Sequence, residues 1–354
     1  MRFWSRLLEN LLERLKRKGY RQLVDPGILQ DFVSLAREGA VVLTHLNADP
    51  DAVASSLLMR EVLLASGVEE VVVAFPEGMS RLSRRVLSGL DIRVDCLESP
   101  VRHVEKRPVV AVDVSNCNQL GAFCSVIKEA RCLMVVDHHI PPGDLVQLTP
   151  YSIVQREPAS TILVYHLARL MDVELDAKLL TLTLIGILFD SRRFIHVTPT
   201  ALRVTAELLE RGADYRKALS LLEERMSLSE RIARLKGAQR SSVVRYGDYL
   251  VAVSEIGSYE ASVARALISL GADVAIVARE RGGECRVSIR VSSDFRSKTG
   301  VSVGRDLVAS LAEKLGGEGG GHDMAGGFNG KCSAGVALRE ALRILANKIG
   351  GMEQ

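Results

Sequence analysis

Short, largely apolar runs recur along the first half of the chain and are separated by segments with helical spacing. The four clearest runs are Val41–Thr44, Val71–Ala74, Val109–Val112 and Leu133–Val136. Runs that are apolar at nearly every position, rather than at alternate positions, are typical of strands buried on both faces of a parallel sheet. Residues 27–212 are therefore predicted to form an α/β domain around a parallel sheet.

A second alternation of strands and helices begins near Tyr246. The predicted strands are Tyr249–Val253, Val274–Ala278 and Cys285–Arg290, and the predicted helices are Glu260–Leu270 and Val303–Lys314. Residues 213–242 carry a charged helical pattern that suits a connection between domains. The predicted fold class is α/β: an N-terminal parallel-sheet domain, a helical linker over residues 213–242, and a smaller α/β domain over residues 243–350.

Residues 1–26 are predicted to form a basic N-terminal helix. Within this segment Phe3, Leu7, Leu11 and Leu15 recur at spacing four, with basic residues beside them. Such a helix suits a nucleic-acid or membrane surface, but it also suits packing against the first domain, and packing is the favoured interpretation.

Composition limits the classes of partner. The chain has 354 residues, 46 basic and 43 acidic, with a formal net charge of +3, which argues against a protein that coats long duplexes and permits a local basic groove. No apolar run has the length of a membrane span. The six cysteines form no C-x-x-C pair, so we expect reduced thiols, no membrane association and a cytoplasmic location.

Titratable residues follow several of the predicted strands. His45, Asp49 and Asp51 come after the first run, Asp113 ends the third, and a group of three titratable residues ends the fourth. That group is Asp137, His138 and His139. Open α/β sheets bind ligands at the carboxyl ends of their strands, so these segments are expected to converge. Taken singly, Asp49 is also a good helix cap and Asp113 a common turn residue.

The expected cluster contains carboxylates and imidazoles and needs no thiolate. Asp190, at the end of an apolar helical run, adds a further carboxylate. Oxygen and nitrogen donors of this kind favour Mn or Mg over structural zinc. Two such ions joined by one carboxylate would activate water for displacement at a phosphorus atom. The glycine-rich run Gly316–Gly321 before His322 suits close approach to an anion, whereas an isolated run of this kind would suit a flexible loop.

These motifs resemble the DHH phosphoesterase superfamily, in the branch with a DHH-associated C-terminal domain. The matching segments are His45–Ala52, Asp113, Asp137–His139, Gly186–Phe194 and Gly319–Gly327. The resemblance spans residues 27–350, and five ordered motifs make it specific. That branch includes RecJ exonucleases, nano-RNases (oligoribonucleases) and phosphodiesterases that cleave cyclic dinucleotides or pAp.

The resemblance implies two divalent metal ions, with Mn favoured and Mg as the alternative. The implied ligands are, in chain order, His45, Asp49, Asp51, Asp113, His138 and Asp190. The first two would bind one ion, Asp113 would bridge both, and the other three would bind the second ion.

Other residues acquire catalytic or substrate-binding roles from the same resemblance. Asp137 would orient His138 and fix its tautomer, and His139 would face the substrate as a phosphate ligand or proton donor. The implied substrate-binding residues of the C-terminal domain are Arg290, Gly320, Gly321 and His322. The active site would lie in a cleft between the domains.

The chain departs from the usual pattern at Ser191, Gln119 and Val291, where threonine, arginine and serine are more common, and these changes affect substrate preference rather than hydrolysis.

Further basic residues suit a short groove that binds an anionic substrate. They are Arg192, Arg193, Arg281, Arg286, Arg296 and Lys298.

The expected reaction is hydrolysis of short single-stranded RNA or DNA, or linear dinucleotides, to mononucleotides. The alternatives are a RecJ-like exonuclease on longer strands, a pyrophosphatase, and a non-catalytic replication- or repair-associated scaffold. A homodimer is compatible with each of these functions.

Overall fold

The chain forms two compact units, Met1–Glu224 and Arg225–Gln354, in a computed structural model. The structure describes residues 24–97, 106–223 and 226–350. The predicted N-terminal helix falls almost wholly outside these ranges, and Pro26 already begins the first helix of the N-terminal unit.

Six parallel strands form the sheet of the N-terminal unit, in the order β3-β2-β1-β4-β5-β6. They are β1 (Ala40–Leu43), β2 (Val71–Ala74), β3 (Cys96–Leu97), β4 (Val109–Val112), β5 (Leu133–Asp137) and β6 (Tyr151–Val154). Neighbouring residues of one strand pack into different cores, Val41 on one face and Val42 on the other. Both faces are therefore buried, which explains why these strands are apolar at consecutive positions.

Helices cover both faces of this sheet. They are α1 (Pro26–Leu35), α2 (Pro50–Ala65), α3 (Arg81–Leu90), α4 (Phe123–Glu129), α5 (Ser160–Leu170), α6 (Ala177–Asp190), α7 (Pro199–Glu210) and α8 (Tyr215–Leu222). Two short 3₁₀ helices, Cys117–Leu120 and Asp144–Leu148, add to one face. Helix α2 begins at Pro50 with the side chain of Asp49 as its cap, because proline tolerates the first helical position and aspartate accepts the free amides.

The C-terminal unit holds a mixed sheet of six strands, in the order β11-β12-β10-β9-β8-β7. Its strands are β7 (Ser242–Tyr246), β8 (Tyr249–Glu255), β9 (Val274–Arg281), β10 (Glu284–Val291), β11 (Gly317–Gly321) and β12 (Ala325–Gly330). Its helices are α9 (Leu228–Gln239), α10 (Glu260–Ser269), α11 (Ser293–Thr299), α12 (Ala309–Leu315) and α13 (Ala334–Gly350), with a π-helical segment at Val303–Val308. Strands β8 and β9 are parallel, and the other neighbours are antiparallel.

The predicted fold class is confirmed: a parallel-sheet N-terminal unit is followed by a separate α/β unit with a mixed sheet. The glycine run forms strand β11, not a loop. The charged segment 213–242 contains two helices, α8 and α9, that belong to different units. Within the described ranges, no helix has the length and apolarity needed to cross a membrane.

The expectation of reduced thiols is wrong for four of the six cysteines. Cys117 pairs with Cys124 and Cys285 with Cys332, while two cysteines remain free. Each pairing depends on tertiary proximity, with Cα atoms 5.1 Å and 5.3 Å apart, at separations of 7 and 47 residues. The spacing of the cysteines along the sequence therefore does not predict these pairs.

Thiol titration tests this pairing. Protein purified without reductant and then denatured should expose two reactive thiols, those of Cys96 and Cys132, and six after reduction. The Cys285→Ser variant should expose one thiol more before reduction, because its partner Cys332 is released. Six reactive thiols in the unreduced wild type would contradict the pairing.

Candidate metal centre

His45 enters the centre from the loop after β1, with its imidazole fixed by the backbone. Its Nδ1 lies 2.8 Å from the carbonyl oxygen of Leu46. Because a carbonyl can only accept, Nδ1 donates this hydrogen bond, and Nε2 keeps a free lone pair. That Nε2 lies 3.8 Å from Asp49 Oδ2 and 3.6 Å from Asp113 Oδ2.

Asp49 serves two roles with its two oxygens. Oδ1 accepts hydrogen bonds from the amides of Asp51 and Ala52, at 2.9 and 3.0 Å, and so caps α2. Oδ2 is left to face His45. The helix-cap and ligand interpretations of this residue are therefore compatible.

Asp113 lies at the end of β4, and its two oxygens face different groups. Oδ2 lies 3.6 Å from His45 Nε2, and Oδ1 lies 3.4 Å from His138 Nε2. The backbone of Asp113 is left-handed, with φ 59°, a conformation that carries strain in a non-glycine residue. The hydroxyl of Ser160 donates to Oδ1 at 2.9 Å and holds the carboxylate in place.

His138 presents its Nε2 to the same cluster. Its Nδ1 lies 2.9 Å from the carbonyl of Glu157 and must donate to it, which leaves a lone pair on Nε2 in the neutral ring. Nε2 is buried and has no aligned hydrogen bond to any described residue, although Asp190 Oδ2 is only 3.2 Å away. A buried imidazole nitrogen that faces carboxylates without an aligned hydrogen bond is suited to bind a divalent cation.

Asp137 does not fix the tautomer of His138, contrary to the role implied by the resemblance. Its Oδ1 accepts from the backbone amide of His138 at 2.9 Å and lies 2.8 Å from Nδ1 of His139. The Glu157 carbonyl orients the His138 ring instead. Asp137 is fully buried, whereas the side chain of His139 is 53% exposed, so Asp137 orients an imidazole that faces solvent.

Asp51 is held by the beginning of α5. Its Oδ2 accepts from the amide of Ser160 at 2.7 Å, and its Oδ1 accepts from the amide of Thr161 at 3.1 Å and from the Thr161 hydroxyl. The free amides at a helix N-terminus favour negative charge, so α5 stabilises this buried carboxylate. Helix α6 packs closely against the beginning of α5 at Gly186. A Cβ on Gly186 would lie only 2.5 Å from Thr161 Oγ1, so a larger residue would disturb this contact.

Ser160, Thr161 and the Glu157 carbonyl are functional groups that were not predicted from the sequence. The available signal was a pair of hydroxyl residues at the start of the apolar run Ile162–Val164, which marks a helix start. It did not indicate which carboxylates the helix start would bind.

Asp190 is the last residue of α6. A helix C-terminus carries partial negative charge and is an unfavourable place for a carboxylate, so Asp190 gains from a nearby cation.

Burial and mutual repulsion act together on the carboxylates of this cluster. Burial, followed by the charge of Asp190, raises the pKa of Asp51 to about 7. Burial and the charges of Asp51 and Asp49 raise the pKa of Asp113 well above its usual range. Burial acts to lower the pKa of His138, but the closeness of Asp190 and the charges of Asp51 and Asp113 outweigh it and raise that pKa to about 10.

The six predicted ligands thus come together in two sets that share Asp113. One set is His45, Asp49 and Asp113, and the other is Asp51, Asp113, His138 and Asp190, each with ligand atoms within 4.8 Å of one another. Neutral imidazole nitrogens and carboxylate oxygens fit divalent cations, which would also relieve the repulsion among the carboxylates.

The four predicted substrate-binding residues lie in the C-terminal unit. Arg290, on β10, is paired in register with Ala325 on β12. Its Nε is buried without a hydrogen-bond partner among the described residues, and burial and the charge of Arg265 lower its pKa. Gly320 and Gly321 lie on β11, and the amide of His322 donates to the Ala325 carbonyl at 2.8 Å.

The proteins that resemble this chain include two further sequences and one solved structure. An uncharacterised protein of Methanocaldococcus jannaschii is 30% identical over 300 residues, which cover 83% of this chain and 88% of that protein. The bifunctional oligoribonuclease and PAP phosphatase NrnA of Thermus thermophilus is 31% identical over 307 residues, 82% of this chain and 84% of that protein. The crystal structure of an exopolyphosphatase-related protein from Bacteroides fragilis has the same fold, with a TM-score of 0.57, 17% identity, and coverage of 92% and 95%.

Family matches cover both units. Residues 40–187 match the DHH family, N-terminal domain, and residues 251–351 match the DHHA1 domain. The chain therefore belongs to the DHH phosphoesterase superfamily, in the branch with a DHH-associated C-terminal domain, whose members are metal-dependent phosphoesterases.

Proposed function

We propose that this phosphoesterase is a two-metal phosphodiesterase that hydrolyses short single-stranded oligonucleotides or linear dinucleotides to mononucleotides. The observation that carries the proposal is the position of Asp113, whose two carboxylate oxygens face two different ligand sets. The relative NrnA of Thermus thermophilus is an oligoribonuclease, which supports this substrate class.

The proposed metal is Mn, with Mg as the alternative, because the donors are carboxylates and imidazoles. When bound, two such ions would polarise a phosphoryl oxygen and supply a nucleophilic water at neutral pH. His45 and Asp49 would hold one ion, and Asp113 would bind both ions. The second ion would also be held by Asp51, His138 and Asp190. The protein contributes the orientation of the two histidines proposed as ligands, because backbone carbonyl groups hold both rings with Nε2 toward the cluster.

His139 is the proposed proton donor or phosphate ligand. Its ring is held through Nδ1 by Asp137, so Nε2 is free on a half-exposed side chain. Burial acts to raise the pKa of Asp137, but the hydrogen bond with His139 outweighs it and the pKa is lowered, so Asp137 stays ionised. An ionised partner keeps the proton on Nδ1 and stabilises the imidazolium that would donate from Nε2.

In the C-terminal unit, Arg290, Gly320, Gly321 and His322 are the proposed substrate contacts. The Nε of Arg290 has no hydrogen-bond partner among the described residues, and Arg265 is close enough to lower its pKa. Two neighbouring cations that form no ion pair with a described carboxylate favour a bound phosphate there. The RecJ-like alternative differs only in preferring long strands. The scaffold alternative is disfavoured by the complete ligand set.

A cytoplasmic location and a homodimer belong to this proposal as well. Two disulfides in a cytoplasmic protein would be of the kind found in intracellular proteins of hyperthermophiles. Light scattering on the purified protein tests the dimer.

The Asp113→Asn variant tests the bridging role. Asparagine keeps the shape of the side chain and an oxygen for the Ser160 hydroxyl, but it removes the charge. We expect kcat/KM with Mn²⁺ on labelled strands of two to five nucleotides to fall by at least about a hundredfold, the loss typical of removing one group that stabilises transition-state charge. The matched control is Asp248→Asn, an exposed surface change that should leave activity intact. A folded Asp113→Asn variant with normal activity would refute the mechanism.

The Arg192→Gly variant tests the strained turn after Asp190. Arg192 has φ 49°, in the left-handed region that glycine adopts without strain. Its side chain is exposed, two residues from a proposed ligand, and has no acidic partner among the described residues. We expect the melting temperature to rise by about 2–4 °C, while kcat/KM falls by about tenfold because a phosphate contact is lost.

The control for that variant is Arg193→Gly, because Arg193 has a similar φ of 54°. Its guanidinium donates to the Leu222 carbonyl at 3.1 Å, so the relief of strain is offset and stabilisation should be smaller. An Arg192→Gly enzyme that is more stable and fully active would show that the arginine has no role in the reaction.

A further inference from the structure

One face of the C-terminal sheet is covered over only part of its width. Ala275 on β9 packs with Val263 and Leu267 of α10 on this face. Helix α10 also contacts β10, and beyond it the same face continues onto β12 and β11, where alternate residues form rows across the sheet. One row joins Ser288, Gly327 and Gly320, and the next joins Arg286, Asn329 and Glu318.

Two glycines on this face are required neither by backbone conformation nor by packing. A Cβ on Gly320 would meet nothing within 4 Å, and one on Gly327 would meet only the Val287 carbonyl, at 3.6 Å. Neither glycine has a positive φ. Glycine weakens a strand, and in such a position it marks a place where another group approaches the backbone closely. A bare strip of backbone therefore leads away from the row of Arg290.

The strip ends at a cavity of about 680 Å³ at the far end of the sheet. Four cationic side chains line it: Arg279, Arg281, Arg286 and Lys331. Glu284 and Glu318 also line it, and the disulfide of Cys285 holds the residue after Lys331 beside β10.

A buried carboxylate organises two of these cations. Glu260, whose side chain is only 8% exposed, lies 2.9 Å from Arg286 Nε and 3.9 Å from Arg279 Nε. The short contact holds the guanidinium of Arg286 before any ligand arrives, and the longer one attracts that of Arg279. Arg281 and Lys331 are exposed and have no ion pair with a described carboxylate, so they remain available to an anion.

The spacing indicates the kind of ligand. Arg286 lies four residues from Arg290 on β10, or about 13 Å along the strand. The neighbouring phosphates of a dinucleotide are too close together to reach both Arg290 and Arg286. A longer strand can lie along the two glycines, with one phosphate at Arg290 and another at Arg286.

We propose that this cavity, lined by Arg279, Arg281, Arg286 and Lys331, is a second phosphate-binding subsite that engages substrate strands longer than a dinucleotide. The inference rests on the proposed function, since Arg290 is there a contact of the phosphodiester substrate. The subsite adds affinity for longer oligonucleotides and none for dinucleotides.

The test uses the full-length double variant Arg281→Ala/Lys331→Ala, which removes two exposed cations. We expect kcat/KM on a labelled five-nucleotide strand to fall by about tenfold, and the salt dependence of KM on that strand to become shallower. Activity on a dinucleotide should stay at the wild-type level. The control is Arg245→Ala/Arg343→Ala, which removes two exposed cations of the same unit outside the cavity. This variant should keep the wild-type kcat/KM on both substrates.

The outcomes separate this inference from the proposed function. If the wild type cleaves both substrates and the cavity variant matches it on the five-nucleotide strand, the subsite is wrong while the function stands. An equal loss on both lengths also overturns the subsite, because the cations then act without regard to strand length. If the wild type cleaves neither substrate, the proposed function fails and this inference fails with it.

Discussion

The burial and mutual repulsion of four neighbouring carboxylates are the constraint on which the candidate metal centre depends. Asp49, Asp51, Asp113 and Asp190 share a small volume with two histidines, and two of the four are almost completely buried. Burial and mutual charge raise the pKa of Asp51 and of Asp113. Such a group is stable only with compensating positive charge. Protonated His138 supplies part of it in the protein alone, and divalent cations would supply the rest.

The fold meets this requirement with backbone groups. Neighbouring strands β1, β4 and β5 bring their following residues to one edge of the sheet. The N-terminus of α5 donates amides and hydroxyls to Asp51 and Asp113. Carbonyl groups fix both ligand histidines with Nε2 toward the cluster. The two imidazole rings and the Asp113 carboxylate are therefore held in place before a metal arrives, and His138 has only to lose its proton.

The convergence of most of the proposed ligands was predictable because they follow apolar strands, and parallel strands end at one edge of the sheet. The contacts that hold the ligands were not predictable. Asp51 and Ser160 are 109 positions apart, and a helix start in the sequence does not name its partner. Glycine disfavours strands, yet β11 forms because its backbone pairs with β12. The cysteine pairing likewise depends on chain proximity that no spacing motif records.

The most direct test of the shared centre is calorimetric titration of the metal-free protein with Mn²⁺. We expect two ions per chain, with an affinity that weakens as pH falls, because His138, with a pKa raised to about 10, must lose its proton to bind. The Asp113→Asn variant should lose the two-ion stoichiometry. A single ion per chain, or two ions bound equally well by that variant, would contradict an Asp113-bridged pair.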